Sequence, residues 1–588
     1  MAGRGANIKQ NENRLLINPP ACITVAGEIS MNVNGNTIIV TLDDGQQVRC
    51  AAGTTLRAVL PQRQSPGGLE YVGALANNDA VSLSYPLDVD STVTLLTRGD
   101  PPGFQIYYRS MCFLLAKTVK ELFPLARFAV QHSLGTGFFC SFETEGKANI
   151  GAEQLQQIDR HMRATIARDV PIERRRIAFT EAVRRFEQEQ QWDKYNLLRF
   201  RNPPKIVTYS CENFSDLAYG PLVPSTGALS LFKLISYPPG FVMQIPEEAN
   251  PNKLPVFEPL PHLFLIFQEH KEWGRILGVS TVGRLNEIIA NREIGDFIKI
   301  AEALHEKKIA SVADHIAERR NEIKWVTIAG PSSSGKTTFA KRLAVQLRVN
   351  GLQPVTISVD NYFVNRDHTP VDEHGKPDFE DIETVDLALL NDHLRRLDAG
   401  EEVELPTFNF EKGCREFRGE KLRIEPDQIA LVEGIHGLNP RLTEAVPASR
   451  KFRIYISALT QLNLDSNNRI STTDNRLIRR LVRDSNYRGN SALATLNMWP
   501  SVRRGERKWI FPYQAQANIA FNSALDYELA VLKPFVEPLL TEIKPDQPQY
   551  AEARRLLEFL SFFLGIPENL VPPTSLLREF IGRSSFRY

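Results

Sequence analysis

The stretch Trp325-Val-Thr-Ile-Ala-Gly330-Pro331-Ser332-Ser333-Ser334-Gly335-Lys336-Thr337-Thr338 decides how the rest of the chain is read. Trp325 to Ala329 is a short apolar, β-branched run, the pattern of a strand buried on both faces. Gly330 to Thr337 fills the phosphate-loop spacing G-x-x-x-x-G-K-[ST]. Beyond it, Phe339, Leu343, Ala344 and Leu347 recur at helical spacing. A strand, a glycine-bounded loop and a helix in that order form an anion cradle. The loop N–H groups wrap a phosphate chain, and the helix adds its positive dipole end. Lys336 is expected to reach the β- and γ-phosphates and the Thr337 hydroxyl to face Mg²⁺. Gly330 through Thr338 are thus the candidate triphosphate-binding residues.

Outward from the loop, Pro354-Val-Thr-Ile-Ser-Val359 reads as the next buried strand and delivers Asp360 at its carboxyl end. That end of a doubly wound sheet is where chemistry collects. Ile429-Ala-Leu-Val432 is a third strand, ending in Glu433-Gly434. Phe452 to Ile456 is a fourth, and Tyr527 to Leu532 reads as a fifth. Alternation of strands and helices predicts a parallel sheet that gathers Lys336, Thr337, Asp360 and Glu433 on one edge. Phosphoryl transfer needs one group to orient the nucleophile and others to hold charge. Asp360 suits the base, with a further role near Mg²⁺, and Glu433 suits the metal shell. Arg476, Arg480 and Arg483 recur on one helical stripe, with Arg488 past its end. They are read as a lid whose guanidinium groups meet the transferring phosphate. Trp499 to Lys508 reads as a basic loop beside that lid.

Length and composition bound the rest. A chain of 588 residues divides into roughly three or four domains. The formal net charge is +1, which gives no global field to recruit nucleic acid or an anionic membrane. No run of about eighteen apolar residues predicts a membrane span. Six scattered cysteines without a CxxC pair predict reduced thiols and a cytoplasmic location. Residues 1–25 are expected to be a flexible leader.

Residues 26–98 are β-rich. Ser30 to Val33, Asn34-Gly35 and Thr37 to Thr41 predict a hairpin through a type I′ turn, and Gly53 to Leu60 a short helix. Tyr71 to Asn78 and Pro86 to Leu95 close the sheet. GTTLRAVL and PLDVDSTV resemble a TGS domain, the β-grasp module of threonyl-tRNA synthetases. Tyr107 to Pro124 and Phe214 to Lys233 resemble the two halves of the editing domain of threonyl- and alanyl-tRNA synthetases. Between them lies an amphipathic helix bearing Leu155, Ile158, Met162 and Ile166. The resemblance implies an α+β editing-like domain over 99–245. It also places Arg109, Phe113, Ala218 and Leu222 where that family carries H-x-x-x-H and C-x-x-x-H. None of the four is a zinc donor or a general base, which predicts an editing fold without editing chemistry. His132, His161 and Asp216 are expected to be structural hydrogen-bonders. Residues 246–322 are a proline-rich connection followed by helices at Leu285 to Arg320.

Residues 323–545 resemble the uridine kinase and phosphoribulokinase family through GPSSSGKTT, SVDNYF, PDFEDIETVD, LPTFNFEKGCR, IALVEGIHGL and RLIRRLVRD. The resemblance implies that Asp360 is the catalytic base, that Glu380 binds acceptor hydroxyls, and that Arg480, Arg483 and Arg488 close over the phosphate. It further implies ATP and Mg²⁺ as cofactors and a homo-oligomer. Pyrimidine-specific members carry P-x-Y-D-F-x-x-H-x-R. Here Phe408 loses the tyrosine hydroxyl, Gly413 removes the imidazole, and Arg415 is retained. Phe408 and Arg415 are therefore substrate-binding candidates in a site whose base readout is altered. Residues 546–588 are expected to be a helical extension.

The overall expectation is a multidomain α/β and α+β chain: a P-loop kinase with a doubly wound parallel sheet, behind β-grasp and editing-like domains. The acceptor is read as a nucleoside hydroxyl, with a sugar phosphate as the alternative. A nucleotide-regulated protein that binds tRNA or the ribosome is a further alternative. The absence of N-K-x-D after the phosphate loop and the neutral charge balance speak against it.

Overall fold

In this computed structural model the described residues are 23–25, 28–30, 36–60, 62–144, 146–373 and 375–587. The phosphate-loop strand β1 (Trp325–Ala329) is buried along its whole length, as its unbroken apolar run requires of a central parallel strand. Helix α1 (Lys336–Val349) follows, then β2 (Gln353–Ser358), β3 (Gln428–Glu433) and β4 (Lys451–Ser457). The lid helix α2 spans Thr472–Tyr487 and α3 spans Ala492–Trp509. Strand β5 is Ile519–Asn522. The sheet order is β2-β3-β1-β4-β5, and every pairing is parallel. This is a doubly wound α/β sheet with the phosphate-loop strand at its centre.

Two readings change. Tyr527 to Leu532 is the start of the helix Glu528–Thr541, and the fifth strand lies just before it. Periodicity cannot tell a short run buried on all sides in a helix from one in a strand, and Leu529, Ala530, Val531 and Leu532 are all buried. Trp499 to Lys508 is helical and not a loop: it continues α3, which accommodates Pro500 in its interior.

Ahead of this sheet, Thr37–Leu42 pairs antiparallel with Gln47–Ala51. Glu28–Ser30 runs parallel to the latter, so its partner is not Thr37–Leu42. The Asn34-Gly35 turn lies outside the described residues. Ser91–Thr97 and Tyr71–Ala76 complete the sheet core. The long helix Pro101–Leu122 and the amphipathic helix Ala152–Ala167 then share one apolar core with two antiparallel sheets. Leu155, Ile158 and Met162 point into it. The apolar run His262 to Phe267 belongs to the helix Pro261–Leu277. The helix Ile294–Glu318 lays Ile309, Val312, Ala313 and Ile316 against Phe339 and Leu343 of α1. Its Glu306 pairs with the buried Arg342 at 2.6 Å, so the connecting helix grips the phosphate-loop helix by both packing and charge. No helix among the described residues is long and apolar enough to cross a membrane.

Candidate functional site: the phosphate loop and its lid

Parallel register assembles the site. Ile328 lies opposite Glu433, and Ser358 lies opposite Glu433 from the other side. The ends of β1, β2 and β3 therefore meet. At Gly330 a Cβ would stand 2.2 Å from the Ile456 carbonyl oxygen, so the close approach of loop to strand demands glycine. Gly335 caps α1 with φ 83°, a left-handed conformation that glycine adopts without strain.

Glu433 is buried and accepts from Ser358 Oγ at 3.1 Å and from Thr337 Oγ1 at 3.5 Å. Burial, with Asp360 beside it, pushes its carboxyl up to about 7. Lys336 is buried and donates to the Pro331 carbonyl at 3.1 Å. Burial lowers its pKa, against the pull of Glu433, Asp360 and Glu579. Asp360, half-buried in the turn after β2, faces Lys336, Glu433 and Arg488 electrostatically. Thr337 hydroxyl and carboxylate oxygens together are a hard-donor set of the kind Mg²⁺ takes beside substrate phosphates.

Helix α2 lies directly on the loop. Arg476 Nε donates to the Ser332 carbonyl at 2.9 Å and pairs with Glu506 of α3. Glu506 in turn accepts from the Ser332 N–H at 3.2 Å. Arg479 pairs with the buried Glu528 and reaches the Ser523 carbonyl at 2.8 Å. Arg480 Nη1 donates to Ser332 Oγ at 2.9 Å and lies 3.9 Å from Glu380. Of the expected lid pair, Arg480 reaches the loop, while Arg483 is held by Asp484 at 3.0 Å. Arg488 lies 3.8 Å from the same carboxylate and over the Phe410 ring. Burial opposes ionisation of Asp484, yet Arg483, Arg480 and Arg488 hold its pKa below the usual carboxylate range.

Glu380 is buried, and its Oε2 has no hydrogen-bond partner. Burial lifts its carboxyl to about 7. Phe408, on the hairpin Val403–Asn409 and Cys414–Leu422, joins Phe410 in the hairpin's turn and Phe363 after β2 in an aromatic cluster. Arg415, opposite Phe408 in that hairpin, is tied to Asp386 at 2.9 Å. Sequence reading passed over Glu506 and Glu579. The first stands in a segment read only for its cations. The second, in the C-terminal tail, accepts from the Thr338 N–H at 3.2 Å and Oγ1 at 2.7 Å.

In the front half, Arg109, Phe113, Ala218 and Leu222 do converge, and they converge on apolar packing. Phe113 meets Phe214 edge-on at 5.2 Å, Leu222 is buried in the same core, and Ala218 packs against it. Arg109 Nε donates to the Pro221 carbonyl at 3.4 Å. Beside them docks a hairpin from the other half, Asn463–Asp465 with Asn468–Arg469. Asp465 accepts from Tyr219 at 2.5 Å, and Asn463 and Ser466 bracket the backbone of Val130 at 3.0 and 2.9 Å. Arg469 donates to Tyr108 at 3.1 Å. Asp216 bonds Asn467 and Lys194, and His161 bonds Glu121. His132 departs from the expected role: it stacks on Phe267, and its Nε2 has no partner.

Comparison with known proteins separates the two halves. Residues 325–530 match the family described as Phosphoribulokinase / Uridine kinase. The N-terminal region matches threonine–tRNA ligases. The match to that of Desulforamulus reducens is 32% identical over 200 residues, covering 34% of this chain and 31% of the relative. That to the enzyme of Coxiella burnetii is 30% identical over 196 residues, covering 33% and 30%. The chain thus spans about a third of the length of these relatives. Among solved structures, D-glycerate 3-kinase from Cryptococcus neoformans var. grubii aligns at 13% identity over 43% of this chain and 87% of that one. Its TM-score is 0.23. Residues 325–530 therefore form a P-loop kinase domain of the Phosphoribulokinase / Uridine kinase family, behind a front end homologous to threonine–tRNA ligase.

Proposed function

We propose that the kinase half transfers the γ-phosphoryl group of ATP to a hydroxyl of a small molecule, with the 5′-hydroxyl of a nucleoside as the favoured acceptor. The observation that carries this reading is the single sheet edge where Lys336, Thr337, Asp360 and Glu433 meet beneath a lid arginine, Arg480. Such transfer needs positioning and charge compensation more than covalent chemistry. Asp360 takes the proton of the acceptor hydroxyl. Lys336 and Arg480 hold the phosphate charge. Thr337 and Glu433 would hold Mg²⁺, which supplies charge neutralisation between the phosphates.

On the acceptor side, the unpartnered Oε2 of Glu380 is a buried acceptor waiting for a donor, and a sugar hydroxyl satisfies it. The Phe363, Phe408 and Phe410 cluster offers ring faces to a planar base. With no tyrosine hydroxyl or imidazole at Phe408 and Gly413, base selection rests on stacking and shape, so specificity is broad among nucleosides. A sugar phosphate is the second acceptor class, favoured by Arg488 beside the same cluster.

ADP formation measured across a panel of nucleosides and sugar phosphates, with and without tRNA, tests the reading. Stimulation by a nucleoside, lost in Asp360→Asn while ADP still binds, supports it. Stimulation by sugar phosphates alone moves the acceptor to the second class, and stimulation by tRNA alone overturns the small-molecule acceptor.

A further inference from the structure

The C-terminal tail reaches back to the phosphate loop, and its contact there is made by a carboxylate. Helix α1 leaves the N–H groups of its first turn without partners inside the helix, and Thr338 stands in that turn. A phosphate chain lying in the loop takes those donors. Glu579 Oε2 already accepts from the Thr338 N–H at 3.2 Å and from its hydroxyl at 2.7 Å. It also contributes, with Glu433 and Asp360, to the negative surroundings of Lys336.

The tail that carries Glu579 is built into the fold. Leu576, Leu577, Phe580 and Ile581 are buried, and Leu576 Cδ2 lies 3.4 Å from where a Cβ on Gly335 would stand. The preceding residue, Arg578, binds the carbonyls of Glu568 and Val571. The Phe580 carbonyl accepts from Asn486 at 3.0 Å, and Arg479 covers the Phe580 ring. The backbone is thus held against the lid helix, while the Glu579 carboxylate hangs from it on rotatable bonds.

We propose that Glu579 is an internal competitor for the nucleotide's phosphate chain. Its carboxylate occupies the anion position at the start of α1, and nucleotide enters only as that side chain swings out. The proposal rests on the reading of the loop as a nucleotide site. A phosphate chain offers more acceptor oxygens and more charge than one carboxylate, so displacement proceeds, at a cost in apparent affinity set by the fraction of molecules with the loop cleared. Because the tail lies on α2 between Arg479 and Asn486, displacement is also felt by the helix that carries Arg476 and Arg480.

Calorimetric titration of the full chain with Mg²⁺-free ADP, and separately with inorganic pyrophosphate, tests this. Glu579→Ala is expected to tighten both about tenfold or more, and the isosteric Glu579→Gln severalfold. Glu568→Gln, which removes a tail carboxylate paired with Arg583, is expected to change neither. The Gln variant carries the test if the Ala variant fails to fold. Unchanged or weakened binding in the Glu579 variants, with normal binding by the wild type, overturns the proposal. No binding by the wild type or any variant overturns the nucleotide site itself.

Discussion

Around the phosphate loop, Lys336, Glu433, Glu380 and Arg480 are all buried and all ionisable. Beneath the helix Pro101–Leu122, the positions Arg109, Phe113, Ala218 and Leu222 also gather in one interior, but phenylalanine, leucine and alanine dominate there. Burying charge is expensive unless it is paired or used. The kinase half keeps that expense, pushing Glu433 and Glu380 to about 7. At these positions the front half holds packing instead, and its buried pair of Lys194 with Asp216 stands beside the docked hairpin, where Asp216 bonds Asn467. Buried ionisable groups set the surroundings of the phosphate loop, and apolar packing sets those of the four front-half positions.

That contrast can be broken at either end. Lys336→Ala should weaken ADP binding about 10²- to 10³-fold, since it leaves the phosphate charge uncompensated; calorimetry reads it. Phe113→Ala, in the front-half core, should instead cost about 3–5 kcal/mol of stability and leave ADP affinity within about twofold, as read by urea unfolding and the same titration. A stable Phe113→Ala protein with weakened nucleotide binding would break the distinction.

Smaller effects sharpen it. Glu380 has its pKa raised from 4.5 to about 7, so the folded state holds a proton that the unfolded state has already released. Stability from this group is therefore full below about pH 4.5 and is lost as pH rises through about 7. Glu380→Gln should stabilise the protein at pH 8 by on the order of 2–3 kcal/mol, with little effect at pH 4, while raising the KM for the acceptor. Thermal unfolding across that range checks the sign. The smallest change expected is at the docking contact. Tyr219→Phe removes the hydrogen bond to Asp465 Oδ2 and should cost about 1 kcal/mol, since Oδ1 keeps its donors from Asn467 and Asn468. Denaturant unfolding would show it, with loss of any single shared transition for the two halves as the larger sign that the hairpin couples them.

The loop, its strand and helix, and the carboxylates closing the next two strands were legible because each is a local pattern: an apolar run, a glycine spacing, an acid at a strand end. The arginines of α2 were legible as a stripe. Their division of labour was not, since Arg480 reaches Ser332 while Arg483 turns to Asp484, a choice made by what stands across from each. Tyr527 to Leu532 misled for a related reason. Complete burial erases the periodicity that separates helix from strand.

By itself, the sequence determined that a phosphate chain can be held between Gly330 and Thr338, that the parallel sheet carries Asp360 and Glu433 to its edge, and that none of Arg109, Phe113, Ala218 and Leu222 is a zinc donor. Tertiary structure alone decided what presses on that loop. Glu506 and Glu579 meet it from 174 and 241 residues along the chain, and Asp465 finds Tyr219 from 246 away. Such contacts leave no local spacing in the sequence, because they are set by which surfaces pack together once the sheet and its helices have formed.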